Sequence, residues 1–189
     1  MQPYSTPVVQ NLTQQMMSSM APRINCGIIY DMPVLMADGS SKMIQDLKIG
    51  DILLAYSIDN FPESTDDESF LTVWTSAELT GSQQLTTVVQ HLPFQNSYHV
   101  DINKGFVRTI PEHRHLIKGY GGVWRFARAR DLRVGDILLD KDGSEIPITS
   151  VGIVNELLTA FSLDVESVDT FYVNGVITHN MKMFSRPPK

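Results

Sequence analysis

One cysteine in 189 residues leaves no partner for an internal disulfide. Cys26 is therefore either a small buried hydrophobe or a thiol used in chemistry. Apolar runs are short, and none reaches the roughly 18 residues that a membrane-spanning helix requires; no membrane association is expected. The first 25 residues, MQPYSTPVVQNLTQQMMSSMAPRIN, lack both the basic and the continuous apolar stretch of a secretory leader, so a cytoplasmic location is expected. Positive charge is scarce: 15 Lys and Arg stand against 21 Asp and Glu, for a net charge of -6. That balance argues against a nucleic-acid partner, since phosphate binding draws on clustered cations. Basic residues do gather between Lys104 and Arg133, but acidic ones punctuate the run, and a solvated face is expected there.

With 42% hydrophobic and 19% charged residues, the chain has the composition of a folded protein and the length for one domain with a real core. Residues 1 to 25 are rich in Gln, Ser, Thr and Met, contain three prolines and show little periodicity; they are expected to form a flexible arm outside the core. From Gly27 the texture changes. Short apolar runs (Ile52-Leu53-Leu54, Tyr98-His99-Val100, Ile137-Leu138-Leu139, Phe171-Tyr172-Val173) alternate with the turn signals Ala37-Asp38-Gly39, Lys141-Asp142-Gly143 and Asn174-Gly175. Many short strands with turn punctuation predict an all-β domain, and Asn174-Gly175 predicts a two-residue hairpin. The acidic, Pro62-containing segment 59 to 70 predicts an exposed loop. The Thr-, Ser- and Gln-rich stretch from Trp74 to Gln90 predicts peripheral strands joining two halves.

The halves are suggested by an internal repeat. Asp46-Leu47-Lys48-Ile49-Gly50-Asp51-Ile52-Leu53-Leu54 recurs as Asp131-Leu132-Arg133-Val134-Gly135-Asp136-Ile137-Leu138-Leu139, with every position identical or conservatively replaced. The separation is too long for a solenoid repeat and predicts a duplicated subdomain about a pseudo-twofold axis.

Chemistry enters through the order of a few residues. A thiol at Cys26 can attack the carbonyl of Asn25 and turn that amide into a thioester, provided a base or donor lies nearby. His113 titrates near neutrality and can protonate the departing nitrogen of the Asn25–Cys26 bond. The Asn180 side chain can attack its own carbonyl, closing a succinimide and breaking the bond to Met181, with His179 supplying the proton. Neither step needs a metal or cofactor, only positioning. His113 and His115 are expected on opposite sides of a strand, which with one cysteine argues against a zinc site.

These residues carry a family resemblance. The segment from Cys26 through VLMADGSSKMIQDLKIGDILLAY resembles the N-terminal splicing block of inteins and related Hint domains. IPEHRHLI is similar to their second block, RARDLRVGDILL to the internal copy of the first, and SLDVESVDTFYVNGVITHN to the two C-terminal blocks run together. The resemblance spans Cys26 to Asn180, with the stretch from about Phe61 to Gln95 undiagnostic. It implies a horseshoe-shaped, pseudo-twofold β fold over 26 to 180, an arm at 1 to 25 and a short tail at 181 to 189, with both scissile bonds at one centre. It also implies Cys26, His113, His179 and Asn180 as the catalytic set.

The sequence departs from the splicing pattern at several positions. Met181 stands where splicing inteins carry Cys, Ser or Thr, and a thioether cannot accept an acyl group. Ile110 stands where the second block carries Thr, and Thr109 is one residue off. Ser162 falls where many inteins carry a catalytic Asp, and Asp169 where many carry His. Ligation of the two flanks would yield only a short peptide. Cleavage without ligation is therefore the expected activity, as a single-turnover reaction with no external substrate. The alternative is a catalytically degenerate module of the kind found in phage virion and tail proteins, virion-associated, with residues 1 to 25 as an assembly contact for a protein partner.

Overall fold

Ile, Val, Leu and aromatic residues alternate with turn formers along most of this chain, and they build strands wherever they do so. The computed structural model describes residues 26–61 and 72–180. The expected arm (1 to 25), most of the acidic loop and the tail (181 to 189) lie outside the described residues, as do Asn25 and Met181.

The described residues contain fifteen strands and no α-helix. One sheet runs β12 (Val151–Val154), β6 (His99–Ile102), β7 (Val107–Thr109), β1 (Ile28–Ile29), β13 (Leu158–Val165), β5 (Gly81–Asn96) and β4 (Ile52–Ile58). The other runs β11 (Glu145–Pro147), β10 (Ile137–Leu139), β8 (Arg114–Lys118), β15 (Val176–His179), β14 (Thr170–Val173), β2 (Pro33–Leu35) and β3 (Ser41–Met43), with β9 (Trp124–Arg128) paired to β8. The two strands nearest the ends of the domain, β1 and β15, each hold the middle place in their sheet.

The repeat reads out as hydrogen bonding. Each copy begins with a 3-10 turn, Ile44–Asp46 or Ala129–Asp131. The aspartate after the glycine clasps the turn: the Asp51 carboxylate accepts the Lys48 N–H at 2.7 Å, and Asp136 accepts that of Arg133 at 2.9 Å. Between them Gly50 and Gly135 adopt φ of 94° and 97°, a left-handed conformation that a side chain disfavours. The first N–H of each turn donates to an equivalent upstream carbonyl, Ile44 to Met32 at 2.9 Å and Ala129 to His113 at 2.8 Å. Met32 and His113 are thus pseudo-symmetry mates: one frame carries a thioether where the other carries an imidazole.

Asn174-Gly175 closes the β14–β15 hairpin with φ of 45° and 80°. The stretch from Trp74 to Gln90 departs from expectation. Trp74 is buried, exchanges two main-chain hydrogen bonds with Trp124 (2.9 and 2.7 Å) and packs with Phe126, Tyr172 and Leu116, so it belongs to the core and not to the periphery. Downstream, one 16-residue strand, β5, pairs with β4 along its first part and β13 along its second. Its polar composition reflects exposed edges of a strand shared by both halves. In the basic stretch, Arg128 and Arg130 flank Glu112 at the surface, but Arg114 is buried.

Candidate functional site

Cys26 lies two residues before β1, and both β1 residues are buried between β13 and β7 (Ile28 opposite Phe161 and Thr109). Gly27 fixes this start. Its carbonyl accepts the Thr109 hydroxyl at 2.9 Å and the Ile110 N–H at 3.1 Å. A Cβ on Gly27 would stand 2.8 Å from the Phe94 ring and 3.1 Å from the Phe161 carbonyl, so any side chain here must displace that ring. The Thr109 hydroxyl thus serves the main chain one residue beyond Cys26. Ile110 contributes no polar group and packs with Ile29 and Ala160.

Across from Cys26 the loop after β7 delivers His113. Its main chain is tied at both ends, the N–H donating to Ile110 O at 3.1 Å and the carbonyl accepting from Ala129. Its ring bridges two parts of the chain: Nδ1 lies 2.6 Å from Cys26 Sγ, and Nε2 lies 2.5 Å from the Thr178 hydroxyl. That hydroxyl has one proton, and it donates it to the Arg114 carbonyl at 3.0 Å. Thr178 therefore receives a proton from His113 Nε2, which leaves Nδ1 as a lone pair facing the thiol. Thr178 sets the imidazole as an acceptor toward Cys26, the arrangement of nucleophile, base and orienting group that activates a thiol.

Burial, and then the neighbouring His115 and His179, hold the His113 pKa well below its ordinary value, so the resting ring is neutral. His115 is fully buried as well, and burial pushes its pKa down to about 4. The rings of His113 and His115 stand 5.2 Å apart, edge to face. This corrects the expectation that they point to opposite sides. Residues two apart on an extended chain share a face, and only consecutive ones alternate. Even so, among the described residues no three His, Cys, Asp or Glu side chains form a metal-binding group.

His179 ends β15, pairs across the hairpin with Thr170, and presses its ring edge-on against Phe126 (5.1 Å) and Phe61 (5.8 Å). Asn180 follows, 1% exposed. Its N–H donates to the Asp169 carbonyl at 2.7 Å, and its side-chain Nδ2 donates to Asp164 Oδ1 at 2.9 Å. Ser162 is buried on β13, and Asp169 is buried just before β14. Cys26 and Asn180 are joined by a continuous path: sulfur to His113, His113 to Thr178, and Thr178 two residues along the chain to Asn180. These contacts run through buried side chains and link the first described residue of the domain to its last.

Thr178 and Asp164 were not singled out in the sequence. A weak signal existed for each: Thr178 lies two residues before Asn180 on a strand, and Asp164 two after Ser162, so each pair shares a face.

No protein-family model matches the chain, and no curated protein is similar to it in sequence. Solved structures are similar. A bacterial intein-like domain from Clostridium thermocellum superposes with a TM-score of 0.61 at 22% identity, covering 82% of this chain and 98% of that one. The TvoVMA intein matches with a TM-score of 0.59 at 18% identity, over 82% of this chain and 98% of its own. A DnaB intein from Synechocystis sp. PCC 6803 matches with a TM-score of 0.56 at 18% identity, with the same coverage of 82% and 98%. The chain therefore has the Hint fold shared by inteins and bacterial intein-like domains.

Proposed function

We propose that this protein cleaves two of its own peptide bonds without joining the flanks. The observation that carries the reading is the His113 bridge, with a lone pair on Cys26 Sγ and its other nitrogen on Thr178. In the N-terminal step, His113 Nδ1 takes the thiol proton as Sγ attacks the Asn25 carbonyl carbon. The C–S bond forms, the C–N bond to Cys26 breaks, and the same proton passes from His113 to the departing nitrogen. The base of the first half is the acid of the second, with no net proton uptake. Water or an external thiol then resolves the thioester and frees residues 1 to 25.

In the C-terminal step, Asn180 Nδ2 closes on its own carbonyl carbon, the bond to Met181 breaks, and His179 protonates the new amine. Residues 181 to 189 leave behind a succinimide. Fixing an attacking group next to its target is worth effective concentrations of about 10⁵ to 10⁸ M, which is the contribution a rigid, water-excluding centre can make. Met181 gives the acyl group nowhere to go, which supports cleavage over ligation.

Intact-mass measurement of freshly made full-length protein tests this, with and without dithiothreitol, beside Cys26→Ala and Asn180→Ala. Expected are a loss of residues 181 to 189 that Asn180→Ala abolishes, and a thiol-dependent loss of residues 1 to 25 that Cys26→Ala abolishes. A full-length mass that stays unchanged for days, with or without thiol, refutes the proposal. It would favour the reading as an assembly module of phage type, for which the replacement of a hydroxyl residue by Ile110 is the supporting observation.

A further inference from the structure

An amide nitrogen is a poor nucleophile because its lone pair is delocalised into the carbonyl, so cyclisation at Asn180 needs a group that takes a proton from Nδ2 as it attacks. Resting on the cyclisation reading above, we infer that Asp164 is the catalytic base of the C-terminal step. Its Oδ1 accepts the Nδ2 hydrogen of Asn180 at 2.9 Å, within reach for direct transfer. Among the described residues Asn180 Oδ1 has no hydrogen-bond partner, so this contact is what orients the carboxamide.

The backbone beside Asp164 is irregular. The β5–β13 ladder runs in regular register from Leu158 to Asp164, which faces Gln90; the next residue, Val165, pairs with Val88. The slip leaves one extra residue, Val89, on β5 opposite the step from Asp164 to Val165. Such bulges bend the strand that carries the extra residue, here β5, and they gather beside active sites. Ser162, two residues earlier on the same face, has no group that could serve as a carboxylate base. The chain thus places its carboxylate one strand period further along, opposite the bulge in β5.

The step balances within the protein. The Nδ2–C bond forms and the C–N bond to Met181 breaks; one proton moves from Nδ2 to the Asp164 carboxylate, and one moves from His179 to the leaving nitrogen. Solvent returns the Asp164 proton to His179 afterwards, and no co-reactant is consumed.

The test is the time course of release of residues 181 to 189 from the full-length chain, followed by intact mass, for wild type, Asn180→Ala, Asp164→Asn, Asp164→Ala and Asp164→Glu. Asp164→Asn keeps an oxygen that can accept the Nδ2 hydrogen but removes the base. Release from it should slow by about 10² to 10⁴-fold, as with Asp164→Ala, while Asp164→Glu recovers part of the rate and the unfolding temperature of Asp164→Asn stays at the wild-type value. Release from Asp164→Asn within threefold of wild type would mean that the carboxylate only orients, and would overturn the inference. If Asp164→Asn unfolds, the glutamate variant decides: a fully folded Asp164→Glu with no release overturns the inference, and release within tenfold of wild type supports it. Failure of the cyclisation reading looks different. There the wild type itself sheds no tail, or Asn180→Ala sheds it equally well, and the inference falls with that reading.

Discussion

His115 should make this fold acid-labile, and replacing it with leucine should remove most of that liability. Its ring is completely buried, and neither nitrogen has a hydrogen-bond partner among the described residues. Burial lowers its pKa from 6.5 to about 4. The unfolded chain takes up a proton as pH drops through 6.5, whereas the folded protein resists protonation until near pH 4. Stability from this residue is therefore complete above pH 6.5 and falls between 6.5 and 4. At pH 5 the linkage relation gives a loss of about 2 kcal/mol relative to pH 8, or about 4 to 8 °C in unfolding temperature for a chain of this length. Leucine has a similar volume and forfeits no hydrogen bond. Urea unfolding at pH 8 and pH 5, read from the buried Trp74 and Trp124, measures the effect, in a Cys26→Ala, Asn180→Ala background so that chain length stays fixed. His113, His91 and His99 also have lowered pKa values and add to the wild-type slope, but the difference between the two proteins isolates His115. If both lose the same stability between pH 8 and 5, proton uptake at His115 is not the cause.

Three further outcomes follow from the geometry. Thr178→Val strands the buried Nε2–H of His113 and frees His113 to change tautomer. It should destabilise the protein by about 2 kcal/mol in urea titration and slow thiol-dependent loss of residues 1 to 25 at least tenfold; unchanged thiol cleavage would disprove the orienting role. Gly27→Ala drives a methyl into Phe94 and the Phe161 carbonyl and should lower stability by about 1 to 3 kcal/mol, measurable by thermal unfolding. Gly50→Ala and Gly135→Ala meet no neighbouring atom within 4 Å and share the same left-handed φ, so each should lose about 1 kcal/mol or slightly more. Markedly unequal losses in calorimetry would argue against equivalent frames.

The duplicated frame was legible because nearly every residue of the repeat acts on its near neighbours. An aspartate clasps a turn three residues back, a glycine makes a left-handed bend, and apolar residues enter a strand. Short-range hydrogen bonds write themselves into short motifs. The Asn174-Gly175 hairpin was legible for the same reason. Contacts made across the fold leave no such trace. Thr178 matters because of an imidazole 65 positions earlier, and Asp164 because of an amide 16 positions later; neither has a local signature apart from strand periodicity. Trp74 sits among residues of polar, strand-edge character, and its burial comes from Trp124, which is distant in sequence. The placing of His113 and His115 on opposite sides was an error of period, not a tertiary surprise.

The domain begins and ends on the interior strands of its two sheets, where a ladder on either side grips the backbone. A break just outside such a strand removes none of those rungs. If the proposed cleavages occur, whatever is attached to either terminus is shed from an intact frame, and the spent domain should persist as a folded husk whose stability is indifferent to the cargo it has lost.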